Sequence, residues 1–554
     1  MKTECGIFAI FTNPRKNFLD DNRNDDLKKL IYNGMVNIQH RGQDGYGYII
    51  INSSDKDNIY SRQSGLLPSS YESIFPDNVQ LGNIFLAHLR YSTNTTTEIN
   101  NNLYSNNGQP LEISKINCIY IAHNGNIPNT DINLPKIGLA RLDKGLSDTY
   151  IFKNIWEKLY FNNNKITLED VIEYIKWILN NIIGAYSCVL TYYNNCNNGN
   201  CDSNNESLMS SIISNISDNL DRPYNLDNLD NSYNISSEFY YLIGFRDRYG
   251  YKPLSICEVE GKYCFVSETV QLKGYKYKFI RDVMPGEIWI CKNNEEPYLI
   301  SRLLDENLKN KTITNLDNLD NLDAYICSME IIYFMKKESR IFNGLITVHH
   351  FRQRLGLELG KQDLQYSKGM NGWVITYIPE SSKSIAEGYS DILNIPINHN
   401  LILKVENIRS FIENCNESRV GKIKRKFAFN IEDIKKIQEI VLVDDSIVRG
   451  NTMRYIIQII KEINPFIKIH IRIGCPKLLK GCNFGIDIYD DELIVPKINE
   501  QRESGITLDM YFGVDSIMFL EKERLDNIFR DYGMANCGWC YGSKDNINIQ
   551  TLEW

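Results

Sequence analysis

The chain has 554 residues, of which 43% are apolar and 23% charged, and its formal net charge is −8. This length predicts more than one domain, and the apolar fraction is enough for full-sized cores. The acidic balance argues against general nucleic-acid binding, and no apolar run reaches the roughly 18 residues of a membrane helix. The N-terminal MKTECGIFAIF lacks signal-peptide features, so we expect a cytoplasmic protein that binds no membrane.

The first part of the chain, residues 5–190, alternates short strand-like runs with turns that contain Gly and Asn. This pattern predicts β-strands, with a helix at 168–182. Residues 194–237 are rich in Asn, Ser and Asp, which predicts a disordered surface insertion. The short repeat NLDNLDNLD at 315–323 predicts a linker.

The second part has a different pattern, in which strands and helices alternate. The strand-like runs are WVITYI (373–378), EIVLVDD (439–445) and IKIHIRIG (467–474), and the amphipathic MRYIIQIIKEI follows the second. Such alternation predicts a parallel sheet with helices on both faces.

Cys5 is followed by Gly6 and a strand-like run, and a lone Cys near a terminus is usually just a small buried hydrophobe. Seven further strings appear in order: HRGQDGYG (40–47), LRYST (89–93), HNGN (123–126), LSD (146–148), RDRYGYKPL (246–254), SET (267–269) and MPGE (284–287). On these motifs, residues 5–300 resemble the class II glutamine amidotransferase domain. The resemblance implies an α+β N-terminal-nucleophile hydrolase fold with four α/β/β/α layers.

Amide hydrolysis needs a nucleophile, a base and an oxyanion site. A thiol has a pKa of about 8.5 and an α-amino group about 8, so the amine of a first-residue Cys5 can serve as the base. The resemblance implies that Asn124 and Gly125 form the oxyanion hole. It assigns the glutamine α-carboxylate to Arg90 and the α-ammonium group to Asp148, with Thr93 and Asn126 as further members. The alternatives are a plain Asn-Gly turn and ordinary surface charges.

The amine of Cys5 is available only if residues 1–4 are removed. Some members of the resembled family carry a short propeptide that ends in Glu before the Cys, and Glu4-Cys5-Gly6 is similar to that junction. The resemblance therefore predicts cleavage between Glu4 and Cys5.

The string VLVDDSIVRGNT (441–452) resembles the signature of type I phosphoribosyltransferases. Its acids suit ribose hydroxyls and Mg²⁺, which prefers oxygen ligands, and a helix that begins near Thr452 offers N–H groups to a phosphate. The predicted phosphoribosyl pyrophosphate ligands in this string are Asp444, Asp445, Ser446, Arg449, Gly450, Asn451 and Thr452. An ordinary βα turn with an acidic cap is the alternative.

Other segments resemble the same family less closely. IPESS (378–382) matches the pyrophosphate loop, with Glu380 where the family usually has Asp and with Ser381 as an implied Mg²⁺ ligand beside Asp444 and Asp445. Arg409 and Lys426 are implied contacts of phosphoribosyl pyrophosphate. For Lys426 the alternative is that KIKRKF is simply a basic surface run.

The chain contains fourteen cysteines and only seven histidines, which disfavours a His-rich metal site. Without signs of secretion, thiols or metal ligands are better readings than disulfides. CSMEIIYF (327–334), GCNFGID (481–487) and NCGWC (536–540) resemble an iron–sulfur-bearing subgroup. Four matching residues imply a [4Fe–4S] cluster, with zinc or unrelated thiols as alternatives: Cys327, Cys482, Cys537 and Cys540.

Taken together, the segments resemble the amidophosphoribosyltransferase family over nearly the whole chain. The expected organisation is a propeptide (1–4), an amidotransferase domain (5–300), a linker (301–325), a phosphoribosyltransferase domain (326–515) and a C-terminal helix with a cluster-binding tail (516–554).

The resemblance implies that glutamine is hydrolysed at Cys5 and that its ammonia attacks C1 of phosphoribosyl pyrophosphate in purine synthesis. It also implies a homotetramer and inhibition by purine nucleotides. The alternatives are another class II amidotransferase, making an aminosugar phosphate or asparagine, and a non-catalytic regulator that binds phosphoribosyl pyrophosphate.

Overall fold

The computed structural model divides into two compact units, which we describe separately. The first holds most of the chain up to Arg302, and the second runs from Tyr325 onwards and includes 268–270. The structure describes residues 5–12, 21–52, 58–76, 79, 81–91, 107–128, 134–135, 138, 142, 146–160, 166–195, 238–293, 295–302, 325–366, 370, 372–405, 426–482, 484–486, 488–500 and 505–542. The predicted propeptide, Thr93, Arg409, the NLD repeat and 196–237 lie outside these ranges.

The first unit contains two antiparallel sheets. The seven-stranded sheet has the order β11-β9-β10-β1-β4-β2-β3. Its strands are β1 (Gly6–Phe11), β2 (Gly45–Ile51), β3 (Ile59–Ser64), β4 (Ile84–Arg90), β9 (Ser255–Val259), β10 (Lys262–Val266) and β11 (Tyr277–Asp282). The six-stranded sheet has the order β13-β12-β8-β7-β6-β5. Its strands are β5 (Leu111–Ser114), β6 (Ile119–Asn126), β7 (Ala185–Asn195), β8 (Glu238–Arg246), β12 (Glu287–Lys292) and β13 (Tyr298–Arg302).

The cores of the first unit follow from the alternation of side chains along the strands. Ile7 and Leu86 from one sheet share a buried cluster with Ala122 and Val189 from the other. Helices α2 (Tyr150–Tyr160) and α3 (Leu168–Asn181) join a second cluster with the six-stranded sheet. Helix α1 (Asp21–Asn37) places Gly34 against the Phe8 ring, where an added Cβ would lie 2.8 Å from a ring carbon.

Two predicted boundaries in this unit were wrong by a few residues. The insertion was placed at 194–237, but β7 continues to Asn195, with Asn194 paired to Phe239 and Asn195 to Glu238. The domain was ended at 300, but β13 continues to Arg302, which pairs with Glu287. Backbone ladder bonds do not depend on side-chain polarity, so a polar composition marks a strand end poorly.

The second unit contains the predicted parallel sheet, in the order β17-β20-β21-β22. Its strands are β17 (Trp373–Tyr377), β20 (Glu439–Asp444), β21 (Lys468–Ile473) and β22 (Ser516–Phe519). The short pairs are β14 (Tyr325–Ile326) with β23 (Ala535–Asn536), β15 (Arg340–Ile341) with β16 (Ile346–Thr347), and β18 (Ile402–Lys404) with β19 (Phe427–Phe429). The boundary predicted at 515 was wrong, because β22 pairs with β21 and belongs to the sheet.

Helices surround this sheet and share its buried core. They are α4 (Val348–Tyr366), α5 (Lys383–Leu393), α6 (Ile431–Ile434), α7 (Asn451–Ile463), α8 (Ile494–Glu500), α9 (Leu508–Phe512) and α10 (Lys522–Arg530), and a π-helical turn spans Glu330–Phe334. Within the described ranges, no helix is long and apolar enough to cross a membrane.

Candidate active sites

Cys5 lies at the start of β1, where the strand pairs with β4 and Gly6 faces Leu89. Its side chain is half-buried, and its sulfur lies 3.8 Å from the Tyr91 carbonyl oxygen. The Cys5 carbonyl accepts a 2.8 Å hydrogen bond from Nε of Arg41, a residue only 1% exposed. The backbone carbonyl of the predicted nucleophile is therefore held by Arg41, directly before the β1–β4 ladder.

Arg90 ends β4, beside the strand that begins after Cys5. One of its guanidinium nitrogens donates to the backbone carbonyl of Asn107. The side-chain oxygen of Asn107 in turn accepts a 2.9 Å bond from the Ser147 N–H. This chain of contacts links Arg90 to the turn that carries Asp148, the other predicted glutamine ligand.

Asn124 and Gly125 lie on β6. The Asn124 side chain is 1% exposed, and in the described part of the structure neither its oxygen nor its nitrogen has a hydrogen-bond partner. A buried amide without partners is costly, which suggests that a ligand satisfies it. Only glycine fits at position 125, since an added Cβ would lie 1.9 Å from the Ala185 carbonyl oxygen.

Asp148 is joined to the same strand, because its Oδ2 accepts a 2.9 Å bond from the Ile127 N–H. The two sheets meet nearby, where Nε2 of His88 lies 3.0 Å from the His123 carbonyl oxygen. The structure thus connects Cys5, Arg90, Asn124, Gly125 and Asp148 through the ends of three strands and one turn. Asn126 follows at the end of β6, paired with Ala185.

Two buried histidines lie close to this site. Burial, followed by Arg90, lowers the pKa of His88 to about 3, and burial lowers the pKa of His123. A histidine with a depressed pKa is a weak base. Neither residue is suited to accept the thiol proton, which leaves that role open to an amine.

The second candidate site lies at the carboxyl end of β20. Burial, with the neighbouring Asp445, raises the pKa of Asp444 well above its ordinary value. Burial also raises the pKa of Asp445, although hydrogen bonds from Ser381 and Ser446 oppose it. The Ser446 hydroxyl donates to Asp445 over 2.7 Å, and Ser381 donates to its other oxygen. Two adjacent carboxylates, one buried and one half-buried, fit a divalent metal ion.

The loop after β17 brings Ser381 to this acid pair, and its Glu380 pairs with Lys404 over 3.1 Å. On the other side, Gly450 adopts a left-handed conformation with φ of 73° before α7. The helix begins at Asn451, one residue before the predicted Thr452, so its first N–H groups face the end of the acidic loop.

Arg449 and Lys426, two predicted ligands of phosphoribosyl pyrophosphate, have different surroundings in the structure. Arg449 forms an ion pair with Glu492, so its guanidinium already has an acidic partner. Lys426 stands just before β19, where its backbone carbonyl accepts a 2.9 Å bond from Val405 and its side chain is exposed. Their predicted contacts with phosphoribosyl pyrophosphate stay predictions.

Sequence reasoning missed two neighbours of the acid pair. Burial, followed by Asp445 and Asp444, raises the pKa of Tyr333 to about 12. Arg352 is 4% exposed and donates to the carbonyls of Ile331 and Met335, at the two ends of the π-helical turn. The string CSMEIIYF contained Tyr333, but nothing in the sequence related it to the distant acids.

The four predicted cluster cysteines are held together by backbone contacts. Cys327 and Cys537 each follow one strand of the parallel β14–β23 pair, and the Cys537 N–H donates to Ile326 over 3.0 Å. The Cys540 carbonyl accepts from Leu479 and Lys480, shortly before Cys482. Burial first, then Cys327, Cys482 and Cys537, raises the pKa of the Cys540 thiol.

Among the described residues, no group of three His, Cys, Asp or Glu side chains is arranged to hold a metal. The electrostatic influence of three thiols on Cys540 nevertheless requires them to be close. Thiol rotamers adjust easily, whereas the backbone contacts hold the four cysteine-bearing segments in place.

The chain is similar to amidophosphoribosyltransferases of other organisms. No protein-family model matches the chain. The amidophosphoribosyltransferase of Methanocaldococcus jannaschii is 29% identical over 525 residues, covering 94% of this chain and 93% of that protein. The Bacillus subtilis amidophosphoribosyltransferase is 26% identical, over 98% of this chain and 93% of its own.

Solved structures agree with the sequence relatives. The B. subtilis glutamine phosphoribosylpyrophosphate amidotransferase, complexed with ADP and GMP, matches with a TM-score of 0.65 and 24% identity, over 98% of this chain and 97% of its own. The comparisons confirm the predicted amidophosphoribosyltransferase function. The amidophosphoribosyltransferase relatives extend over both units, whereas a relative that shared only the amidotransferase half would end near the linker.

Proposed function

We propose that glutamine is hydrolysed in the first unit, with Cys5 as the nucleophile. Its sulfur attacks the side-chain amide carbon, and its own α-amine takes the thiol proton and passes it to the departing ammonia. Water then releases glutamate from the thioester. This chemistry needs removal of residues 1–4, so cleavage between Glu4 and Cys5 is part of the proposal.

The roles of the surrounding residues follow from their chemistry. The Asn124 amide and the Gly125 N–H would donate to the oxyanion, where preorganised donors are most effective. Arg90 would bind the α-carboxylate of glutamine and Asp148 the α-ammonium group, with Thr93 and Asn126 as further contacts. The proposed glutamine site is supported above all by the buried side-chain amide of Asn124, which has no hydrogen-bond partner among the described residues.

The second unit would bind phosphoribosyl pyrophosphate at the carboxyl end of β20. Asp444 and Asp445 would hold the ribose hydroxyls and Mg²⁺ together with Ser381, and the N-terminus of α7 would bind the 5′-phosphate. When bound, Mg²⁺ supplies positive charge that stabilises the departing pyrophosphate. The protein's own contribution is to orient C1 towards ammonia. The implied contacts from Arg409, Lys426, Arg449 and Ser446 belong to this proposal.

The four cysteines fit a [4Fe–4S] cluster, because their backbones converge and the half-buried Cys540 lies beside the other three thiols. Four thiolates are the usual ligands of such a cluster. In this proposal its role is structural or regulatory. The proposal also includes four α/β/β/α layers in the first unit, a homotetramer, a cytoplasmic location and inhibition by purine nucleotides. The B. subtilis structure with ADP and GMP supports nucleotide binding.

The test is pyrophosphate release from phosphoribosyl pyrophosphate, with glutamine or ammonium chloride as the nitrogen donor. We expect Cys5→Ala to abolish glutamine use and to keep ammonia use, both dependent on Mg²⁺. Cys118→Ala is the matched control, since Cys118 is another half-buried thiol of the same unit.

Three results would contradict the proposal. They are glutamine-dependent turnover by Cys5→Ala, an active wild-type enzyme that still carries residues 1–4 by mass spectrometry, and absence of pyrophosphate release with either donor. The last result would favour a non-catalytic regulator.

A further inference from the structure

The segment at Asn107–Gln109 contacts three parts of the glutamine site. The Asn107 carbonyl accepts from Arg90, and its side chain accepts from the Ser147 N–H. The Gln109 side chain accepts a 2.6 Å bond from the His123 N–H and donates a 2.9 Å bond to the Thr149 hydroxyl. This short segment therefore touches β4, β6 and the turn before α2.

Gln109 has a specific place in the six-stranded sheet. β5 pairs with β6 so that Leu111 faces Ile121, and Gln109 lies two residues before Leu111, where its side chain meets the His123 N–H. The ladder between these strands ends at Leu111, and Gln109 supplies a side-chain oxygen where a backbone acceptor would otherwise be needed. This fixes the strand directly before Asn124 and Gly125.

The nitrogen of the Gln109 side-chain amide holds the turn that carries Asp148. Thr149, which follows Asp148, is 1% exposed, and its hydroxyl also lies 3.3 Å from Nδ1 of His123. Gln109, Thr149 and His123 thus form a closed triangle of hydrogen bonds inside the unit, and Gln109 itself is 6% exposed. One planar amide sets the spacing between the oxyanion strand and the Asp148 turn.

We propose that Gln109 is a positioning residue of the glutamine site, which holds the Asn124–Gly125 strand and the Asp148 turn at the separation that a bound glutamine requires. This inference rests on the proposed function, because it takes Asn124, Gly125 and Asp148 as the glutamine ligands. Gln109 itself touches no reacting atom in this account.

A side-chain amide is needed at position 109, because the His123 N–H requires an acceptor and the Thr149 hydroxyl a donor. In Gln109→Glu the oxygen that accepts from His123 is kept, and the donor to Thr149 is lost. In Gln109→Leu both bonds are lost. A misplacement of about 1 Å at such a site costs on the order of 10²-fold in rate. We therefore expect the glutamine kcat/KM to fall about 10²-fold in Gln109→Leu and less in Gln109→Glu.

The experiment measures glutamine-dependent and ammonia-dependent pyrophosphate release for both variants. Ammonia-dependent turnover should remain within about twofold of wild type, well below the kinetic effect of a misplaced site. In Gln109→Glu the loss should appear mainly as a higher KM for glutamine, since the Asp148 turn is released while the oxyanion strand is kept. Gln109→Leu should also lower kcat. Gln63→Leu, an exposed position on β3, is the control and should behave as wild type.

Labelling of Cys5 separates positioning from misfolding. A diazoketone analogue of glutamine needs the assembled site, whereas iodoacetamide needs only an accessible thiol. We expect Gln109→Leu to react slowly with the analogue and at the wild-type rate with iodoacetamide. If iodoacetamide instead modifies several buried thiols, the variant has unfolded, and Gln109→Glu then decides the question by its KM.

Wild-type glutamine kinetics in both Gln109 variants would overturn the positioning role while leaving the proposed function intact. Failure of the analogue to label Cys5 in the wild-type enzyme would instead contradict the proposed function itself. The two failures are therefore distinguishable.

Discussion

Asp247 is a buried carboxylate outside both candidate sites, and it is 1% exposed. Its oxygens accept backbone bonds from Tyr186 over 3.0 Å, Tyr249 over 2.9 Å and Gly250 over 2.7 Å. Burial outweighs these bonds and raises the pKa of Asp247 from 3.8 to about 6. The motif RDRYG therefore builds a tight turn around an acid that ionises reluctantly.

The raised pKa of Asp247 predicts a pH dependence of stability. Between about pH 4 and about pH 6 the folded state holds a proton that the unfolded state has released, so the free energy of unfolding falls as pH rises and levels off above pH 6. The fall amounts to on the order of 3 kcal/mol. Urea unfolding of wild type and Asp247→Asn across this range measures it.

The Asn variant is the suitable comparison because it keeps an acceptor for Tyr249 and Gly250 but cannot ionise. The stability difference between the two proteins should change with pH as described. Parallel curves across the range would show that Asp247 does not titrate there.

Strings such as HNGN and VLVDD name the candidate site residues, but the surroundings of those residues could not be predicted from the sequence. Nothing in the sequence indicates that the Asn124 amide is buried with no hydrogen-bond partner in the described part of the chain, or that Arg449 pairs with Glu492. Those facts depend on chain segments far apart in sequence. Gln109 was missed for the same reason, since its partners lie 14 and 40 residues away.

At the scale of elements, α4 and α5 pack closely through small residues. An added Cβ on Gly356 would lie 1.9 Å from the Ile385 carbonyl oxygen, and one on Gly388 would lie 1.9 Å from that of Gln353. Backbone atoms cannot move aside as a side chain can. The two glycines therefore set the distance between the helices.

We expect Gly356→Ala to destabilise the second unit by about 1–3 kcal/mol, because overpacking outweighs the better helix propensity of alanine. Lys361→Ala, at an exposed position of α4, should change stability by less than about 0.5 kcal/mol. Urea unfolding followed by circular dichroism measures the free energy of unfolding of both variants. A Gly356→Ala variant as stable as wild type would mean that the helices can separate without cost.

The strands and helices of both units were largely predictable, because their apolar periodicity is strong. The amphipathic MRYIIQIIKEI is helical within α7, and EIVLVD forms β20. β22 was missed as part of the sheet, since SIMF is a short run whose role depends on pairing with β21. Pairing between distant segments is decided by tertiary packing, which local pattern does not encode.

At the scale of the molecule, each unit has hydrophobic cores of its own. In the first unit, Cys188 is fully buried within the cluster that joins α2 and α3 to the six-stranded sheet. In the second unit, a separate core surrounds the parallel sheet, and Cys540 packs against it. Units with independent cores are expected to unfold in separate transitions.

Calorimetry of the anaerobically prepared protein should therefore resolve two transitions. We expect Cys540→Ser to lose iron and sulfide and to lower only the transition of the second unit, because a structural metal site stabilises the state that binds it. Cys188→Ser, which changes a buried thiol of the first unit, should keep the iron and lower only the other transition by a few degrees. Stoichiometric zinc in place of iron would contradict the cluster, and a single transition shifted by both variants would contradict independent units.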